Sequence, residues 1–306
     1  MKTLVVGGTG FAGGHAALYL KNQGYDVTVM ARSRPRGTSA MNELAYVQGD
    51  YVNDDFSDGR LEGYERLVFC AGVDVKYFPW DGSITPEEFY HSLNSVAIPR
   101  FFESVKAAGI PRTVYLGSFY PQVAPHRIEE DPYVRSRYEA DEAIRAMSSP
   151  SFNVCSCNAP YILGFTPGFA VDHLAALATY ASGGLEGAPI FAPPGGTNHM
   201  SCLSVSQALH GALERGESGK GYLIGDANLT WKEYFELWFA AAGNPQDLDV
   251  REDEHPIIPQ MIMYAGINAL TSYEPEPEET ALLAYQRGLM PTTITECFNY
   301  YSSSPA

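Results

Sequence analysis

Hydrophobic and polar positions follow two rhythms along the first half of the chain. Short apolar runs at residues 3–6, 27–31, 45–48, 67–71, 113–117 and 154–157 read as strands. Between them, apolar residues recur at helical spacing over 11–22, 86–108 and 132–147. Gly24 stops the first of these helices, and Pro132 opens the third. The second carries Pro99, which is expected to kink or divide it, because a helix-interior proline removes a hydrogen bond and clashes with the preceding turn. Strands without polar alternation, interspersed with helical segments, predict a doubly wound parallel α/β sheet of the Rossmann type. The second half is less regular. Glycine and proline clusters at 166–168, 183–189 and 193–196 mark loops, while 205–215 and 230–242 return to a helical pattern. Residues 273–279 (YEPEPEE) read as a solvated surface loop.

The turn after the first strand carries Gly7-Gly8-Thr9-Gly10-Phe11-Ala12-Gly13. Glycines at 7, 10 and 13 allow a tight turn and a close backbone approach to a pyrophosphate, and the helix that follows offers free N–H groups. A plain glycine-rich turn is the competing reading, but the strand–turn–helix setting favours a dinucleotide. At the end of the second strand stand Arg32, Ser33 and Arg34. A chain selecting NAD would place an acid there for the ribose 2′-hydroxyl, whereas guanidinium groups pair with a 2′-phosphate. The expected cofactor is therefore NADP(H). Asp50 ends the third strand, either to meet an adenine amino group or as a turn residue.

Composition narrows the partners. The 306 residues are 45% hydrophobic and 18% charged, enough to bury a large core, and the formal net charge is −16. So acidic a chain is not expected to bind nucleic acid. No apolar run is long enough for a membrane span, and the first residues lack a signal-peptide pattern, so a cytoplasmic protein is expected. The five cysteines (70, 155, 157, 202 and 297) fit buried thiols in a reducing compartment, and no metal site is expected.

The order of these segments resembles the extended short-chain dehydrogenase/reductases of the NAD(P)-dependent epimerase/dehydratase type. The resemblance rests on the glycine loop, Gly49-Asp50, Cys70-Ala71-Gly72 and Asn94. It continues through Tyr115-Leu116-Gly117-Ser118, Pro132-Tyr133 with Arg137, Ala159-Pro160-Tyr161 and the later Gly221-Tyr222-Leu223. It implies a nucleotide domain of residues 1–164 plus 200–226, and a smaller C-terminal substrate lobe of 165–199 plus 227–306. Residues 7, 9–13, 32–34 and 50, with Ala71, Gly72, Tyr133, Arg137 and Pro160, would contact the cofactor. A homodimer is the habit of the family.

Catalysis by that family implies Ser118 as the oxygen-polarising residue, Tyr133 as acid/base and position 137 as its cation. Residues 133 and 137 share one helix face, and a fixed positive charge there favours the phenolate. The family carries Lys at this position and the chain carries Arg137, which keeps the charge but is never deprotonated. Two other readings follow. One is an epimerase or dehydratase that retains its cofactor, and the other a non-catalytic NADP sensor or scaffold. Asn94 has either a site role or a structural one. His126, His173 and His199 flank the predicted pocket without metal-ligand spacing.

Sugar-nucleotide substrates carry a diphosphate, yet residues 146–214 contain no Lys or Arg. Arg251 and Arg287 are the later arginines that could fold in. The loops at the strand ends carry Tyr77, Trp80, Phe119, Tyr120 and Phe165 instead. The expected substrate is a largely apolar ketone, aldehyde or alcohol, and the expected activity an NADP(H)-dependent oxidoreductase.

Overall fold

The computed structural model describes residues 1–35 and 37–303. All six expected strands form: β1 (Lys2–Val6), β2 (Asp26–Ala31), β3 (Ala45–Gln48), β4 (Arg66–Phe69), β5 (Arg112–Ser118) and β6 (Asn153–Ala159). Next come β7 (Tyr161–Leu163), β8 (Gly196–Ser201), β9 (Gly221–Leu223), β10 (Ala227–Thr230) and β11 (Leu270–Thr271). The helices of the first half are α1 (Phe11–Asn22), α2 (Pro86–Tyr90), α3 (Ala97–Ala107), α4 (Tyr120–Val123), α5 (Arg127–Glu130) and α6 (Pro132–Ala146). Those of the second half are α7 (Asp172–Ala181), α8 (Cys202–Arg215), α9 (Trp231–Ala241), α10 (Pro277–Leu283) and α11 (Met290–Ser303).

Seven strands pair in the order β3-β2-β1-β4-β5-β6-β9, with every pairing parallel. Alternation along β1 sends Val5 to one face of this sheet and Leu4 and Val6 to the other. On the first face α1 and α8 close a core with Ala16, Leu20, Leu209 and Leu213. On the second, α3 and α6 supply Ile98, Phe101, Phe102, Ala140 and Ile144. The chain leaves β1 for β2 on one side and returns as β4 on the other. Strand order reverses between β1 and β4, and such a switch point opens a crevice at the carboxyl ends of the strands.

A second, smaller sheet joins β10, β8 and β11, and β7 also pairs with β8. It borders a third core built from α7, α9 and α11, including Leu174, Trp238, Phe239 and Ile294. The helical stretch that starts at Pro86 departs from expectation. Pro99 does not divide it. The helix widens upstream instead, in a π segment over His91–Val96 that runs into α3. An Ala97 N–H to Ser92 C=O bond marks the wider turn, which relaxes the backbone just before the proline ring. Residues 277–283, the first three of them inside the expected surface loop, form α10.

Candidate active site

Every strand end that the sequence singles out opens into one cleft of about 1070 Å³. Its cofactor-side wall is the turn from β1 into α1. A Cβ on Gly13 would lie 2.3 Å from the Gly7 carbonyl oxygen, so the helix packs on the strand only because residue 13 has no side chain. The first turn of α1 has no side-chain cap and no acidic residue. Its N–H groups and the positive end of the helix dipole are left for an anion. These features fit a dinucleotide pyrophosphate.

Two devices hold Ser118, Tyr133 and Arg137 in place. Ser118 ends β5, where the strand register fixes it beside Ala159 of β6. Tyr133 and Arg137 lie one turn apart on α6, which is capped by Asp131 accepting the Val134 amide at 3.0 Å. Arg137 is 8% exposed. Its Nη2 donates to the Leu116 carbonyl at 2.9 Å, its guanidinium lies 5.3 Å from the centre of the Tyr115 ring, and its Nε has no partner. A buried donor without a partner, at the edge of the cleft, fits a ribose hydroxyl. Gly72, at φ +149°, leaves room for this arginine, since a Cβ there would meet Nη1 at 2.7 Å. Asn94, in the π segment, clamps the same loop. It accepts from the Val73 amide at 3.1 Å and donates to the Val73 carbonyl at 3.2 Å and Ser136 Oγ at 3.1 Å. Its role is to hold backbone.

Tyr133 is subject to opposed effects. Burial, the largest, raises its pKa above the ordinary tyrosine value, with help from Asp74 and Asp131. Arg137 and the nearby Ser118 side chain act in the lowering direction without offsetting burial. The phenol is therefore an acid at neutral pH.

Most of the sequence-predicted residues meet in the cleft. Gly7, Thr9, Gly10, Phe11, Ala12, Gly13, Arg32, Ser33, Asp50, Ala71, Gly72, Ser118, Tyr133, Arg137 and Pro160 line it, as do Tyr77, Trp80, Phe119 and Tyr120. Two do not. Arg34 stacks over the Tyr46 ring at 4.6 Å, where cation–π attraction holds it away from the cleft. Phe165 stacks on Tyr300 at 4.5 Å, packed against the third core. Asp50 is engaged in its own turn, accepting from the Val52 amide and Asn53 Nδ2, both at 2.9 Å.

His173 lines the cleft with its side chain exposed. His199 is fully buried, stacked on Tyr234, while His126 is exposed. Neither arginine of the C-terminal region reaches the cleft. Arg251 pairs with Asp249 at 3.1 Å, and Arg287 with Glu274 at 2.7 Å.

The sequence reading missed the far wall. Ile257, Ile258, Pro259, Met261, Ile262 and Tyr264 line it, with Trp231 of α9. The signal was present: an apolar run inside an acidic C-terminal region. Asp74 and Lys76, which also line the cleft, gave no pattern of their own. Among the described residues no group of three or more His, Cys, Asp or Glu is placed to hold a metal ion, and no helix is long and apolar enough to cross a membrane.

A parallel sheet with a glycine-rich β1–α1 turn, and a serine–tyrosine–cation set carried by the end of β5 and by α6, define a dinucleotide-binding enzyme fold. The family model described as NAD dependent epimerase/dehydratase family matches residues 3–225, and the chain belongs to that family. A Synechocystis sp. (strain ATCC 27184 / PCC 6803 / Kazusa) protein called dihydroflavonol 4-reductase is 32% identical over 117 residues, which span 37% of this chain and 32% of that protein. UDP-N-acetylglucosamine 4-epimerase from Bacillus cereus superposes with a TM-score of 0.74 at 17% identity, covering 100% of this chain and 98% of that one. UDP-glucose 4-epimerase from Bifidobacterium longum, solved with NAD+ and UDP, gives 0.76 at 17% identity, covering 100% and 99%. At these identities the structural likeness is one of fold.

Proposed function

We propose that this protein is an NADP(H)-dependent oxidoreductase that interconverts a carbonyl group and an alcohol on a largely apolar small molecule. One observation carries the reading: Ser118, Tyr133 and Arg137 share a single cleft whose far wall is aliphatic and aromatic. The nicotinamide, when bound, supplies or takes up a hydride at the substrate carbon. Everything else is done by the chain. Tyr133, protonated at neutral pH, gives its proton to the carbonyl oxygen in the reductive direction. Ser118 donates a hydrogen bond to the same oxygen as charge develops on it. Arg137 stabilises the phenolate left behind, and its free Nε suits a cofactor ribose hydroxyl. An arginine cannot pass a proton on, so Tyr133 regains its own from water reaching the cleft rather than through residue 137.

Arg32 and Ser33, both exposed at the end of β2, suit a 2′-phosphate and carry the preference for NADP(H) over NAD(H). The charges in the cleft also speak to the substrate. Its lining cations are Arg32, Lys76 and Arg137. Arg32 and Arg137 serve the cofactor in this account, which leaves Lys76 alone for a sugar-nucleotide diphosphate. Ile257, Ile258, Met261 and Ile262, which line the cleft together with Tyr77 and Trp80, instead favour an apolar body.

Calorimetric titration with NADPH and NADH, followed by a screen of apolar ketones with NADPH, tests the reading. Tighter binding of NADPH and net NADPH consumption with a ketone are expected. Turnover of a UDP-sugar, with cofactor retained through purification and no activity on ketones, would move the chain to the epimerase reading.

A further inference from the structure

The segment 257–264 lies outside the family match and crosses the cleft as a strap. Arg127 of α5 fastens its end, donating from Nε to the Tyr264 carbonyl at 2.6 Å. The Tyr264 ring is stacked on Tyr133, with centroids 4.2 Å apart and planes 20° from parallel, and it meets Tyr120 edge-on at 5.4 Å. Tyr90 meets Tyr133 from another side at 5.5 Å, also edge-on. Tyr133 is thus boxed by aromatic rings, one of which is delivered by the strap.

We infer that Tyr264 is a positioning residue for Tyr133: its stacked ring shields one face of the Tyr133 phenol from water, leaving the cleft side open, and fixes where that hydroxyl points. The inference rests on the oxidoreductase reading, in which Tyr133 is the proton donor. Several groups face that phenol. Arg137 and Asp131 come from its own helix, Ser118 and Tyr115 from β5, Asp74 from the loop after β4, and Tyr90 and Tyr120 from α2 and α4. Arg137 and Ser118 favour the phenolate, Asp74 and Asp131 oppose it, and the remaining tyrosines are neutral at pH 7. Burial outweighs these charges, and the strap is the covering that a single side-chain change can lift.

Tyrosine labelled with ¹³C at Cζ in the full chain, titrated by NMR, reads the Tyr133 hydroxyl without any turnover. Loss of its resonance in Tyr133→Phe assigns it. Tyr264→Ala should move the Tyr133 titration down by about one pH unit, because water entry relieves desolvation while Arg137 stays. Tyr264→Phe, which keeps the stack, should restore it. An unmoved titration in Tyr264→Ala, or an equal shift in Tyr264→Phe, overturns the inference. Should Tyr264→Ala not fold, Arg127→Gln frees the strap, and a smaller shift in the same direction is expected. No shift there overturns the inference as well. Full turnover by Tyr133→Phe would instead sink the oxidoreductase reading, and the titration is independent of that result.

Discussion

In the proposed function Tyr133 and Arg32 bear the two chemical decisions of the site, and each makes its own prediction. Tyr133→Phe removes the proposed proton donor but not the ring that packs against Tyr90 and Tyr264. It should lower kcat by about 10²-fold or more and leave the NADPH dissociation constant unchanged, as steady-state kinetics and calorimetry would show. Arg32→Ala should weaken NADPH binding by about tenfold or more and change NADH binding little, since a charge-assisted bond to a phosphate is worth about 1.5–3 kcal/mol. Arg34→Ala should leave both affinities alone, because that guanidinium is spent on Tyr46. Only the structure separates these two arginines. In sequence they are equivalent cations two positions apart at the tip of one strand, and only the placement of the Tyr46 ring distinguishes them.

At the level of elements, α8 shows how a helix end is held. The last carbonyls of α8 have no partners within the helix. Arg112 of β5 donates to the carbonyls of Ala212 at 2.9 Å, Gly216 at 2.7 Å and Leu213. Arg66 of β4 donates to Leu213 as well. These arginines tie the α8 terminus to the start of two central strands. Arg112→Ala should cost about 2 kcal/mol in urea unfolding, the scale of charge-assisted bonds left unmade.

The elements that were legible in sequence are those whose residues carry local signals. All six early strands are apolar, and α6 opens with Asp131 and Pro132. Strand β8 was not legible. Gly196–Ser201 is polar yet wholly buried, because Asn198 pairs with Asn228 at 2.8 Å and Thr271 donates to Thr197 at 2.9 Å. Those partners come from β10 and β11, far along the chain. Helix α11 was missed for the opposite reason. Its threonines and aromatics are weak helix formers, and the buried stripe Met290, Ile294, Cys297 and Tyr301 holds it by packing. The far wall of the cleft was overlooked in the same way, since its apolar run has neither strand nor helix rhythm and gains meaning only where the strap crosses Tyr133.

The whole molecule carries a pH signature. Burial pushes His15 and His255 down to about 4, and His199 to about 3. Each is neutral when folded and gains a proton near pH 6.5 when unfolded. Between those values the unfolded chain binds more protons, so stability is full above about pH 6.5 and falls as pH drops. Urea midpoints should be level from pH 7 to 8 and decline between pH 6.5 and 5, a window in which ordinary carboxylates stay charged. A flat profile there would contradict the buried, neutral histidines.

In the proposed function one cleft, armed with Ser118, Tyr133 and Arg137, moves a hydride between NADP(H) and an apolar carbonyl compound. Its most direct test is isotopic. The full-length protein would be incubated with NADPH deuterated at C4 and a panel of apolar ketones, and the alcohols read by mass spectrometry. Deuterium is expected in an alcohol product, and its transfer is expected to be lost in Tyr133→Phe. Absence of transfer to any ketone, with the label still on the cofactor, would contradict it.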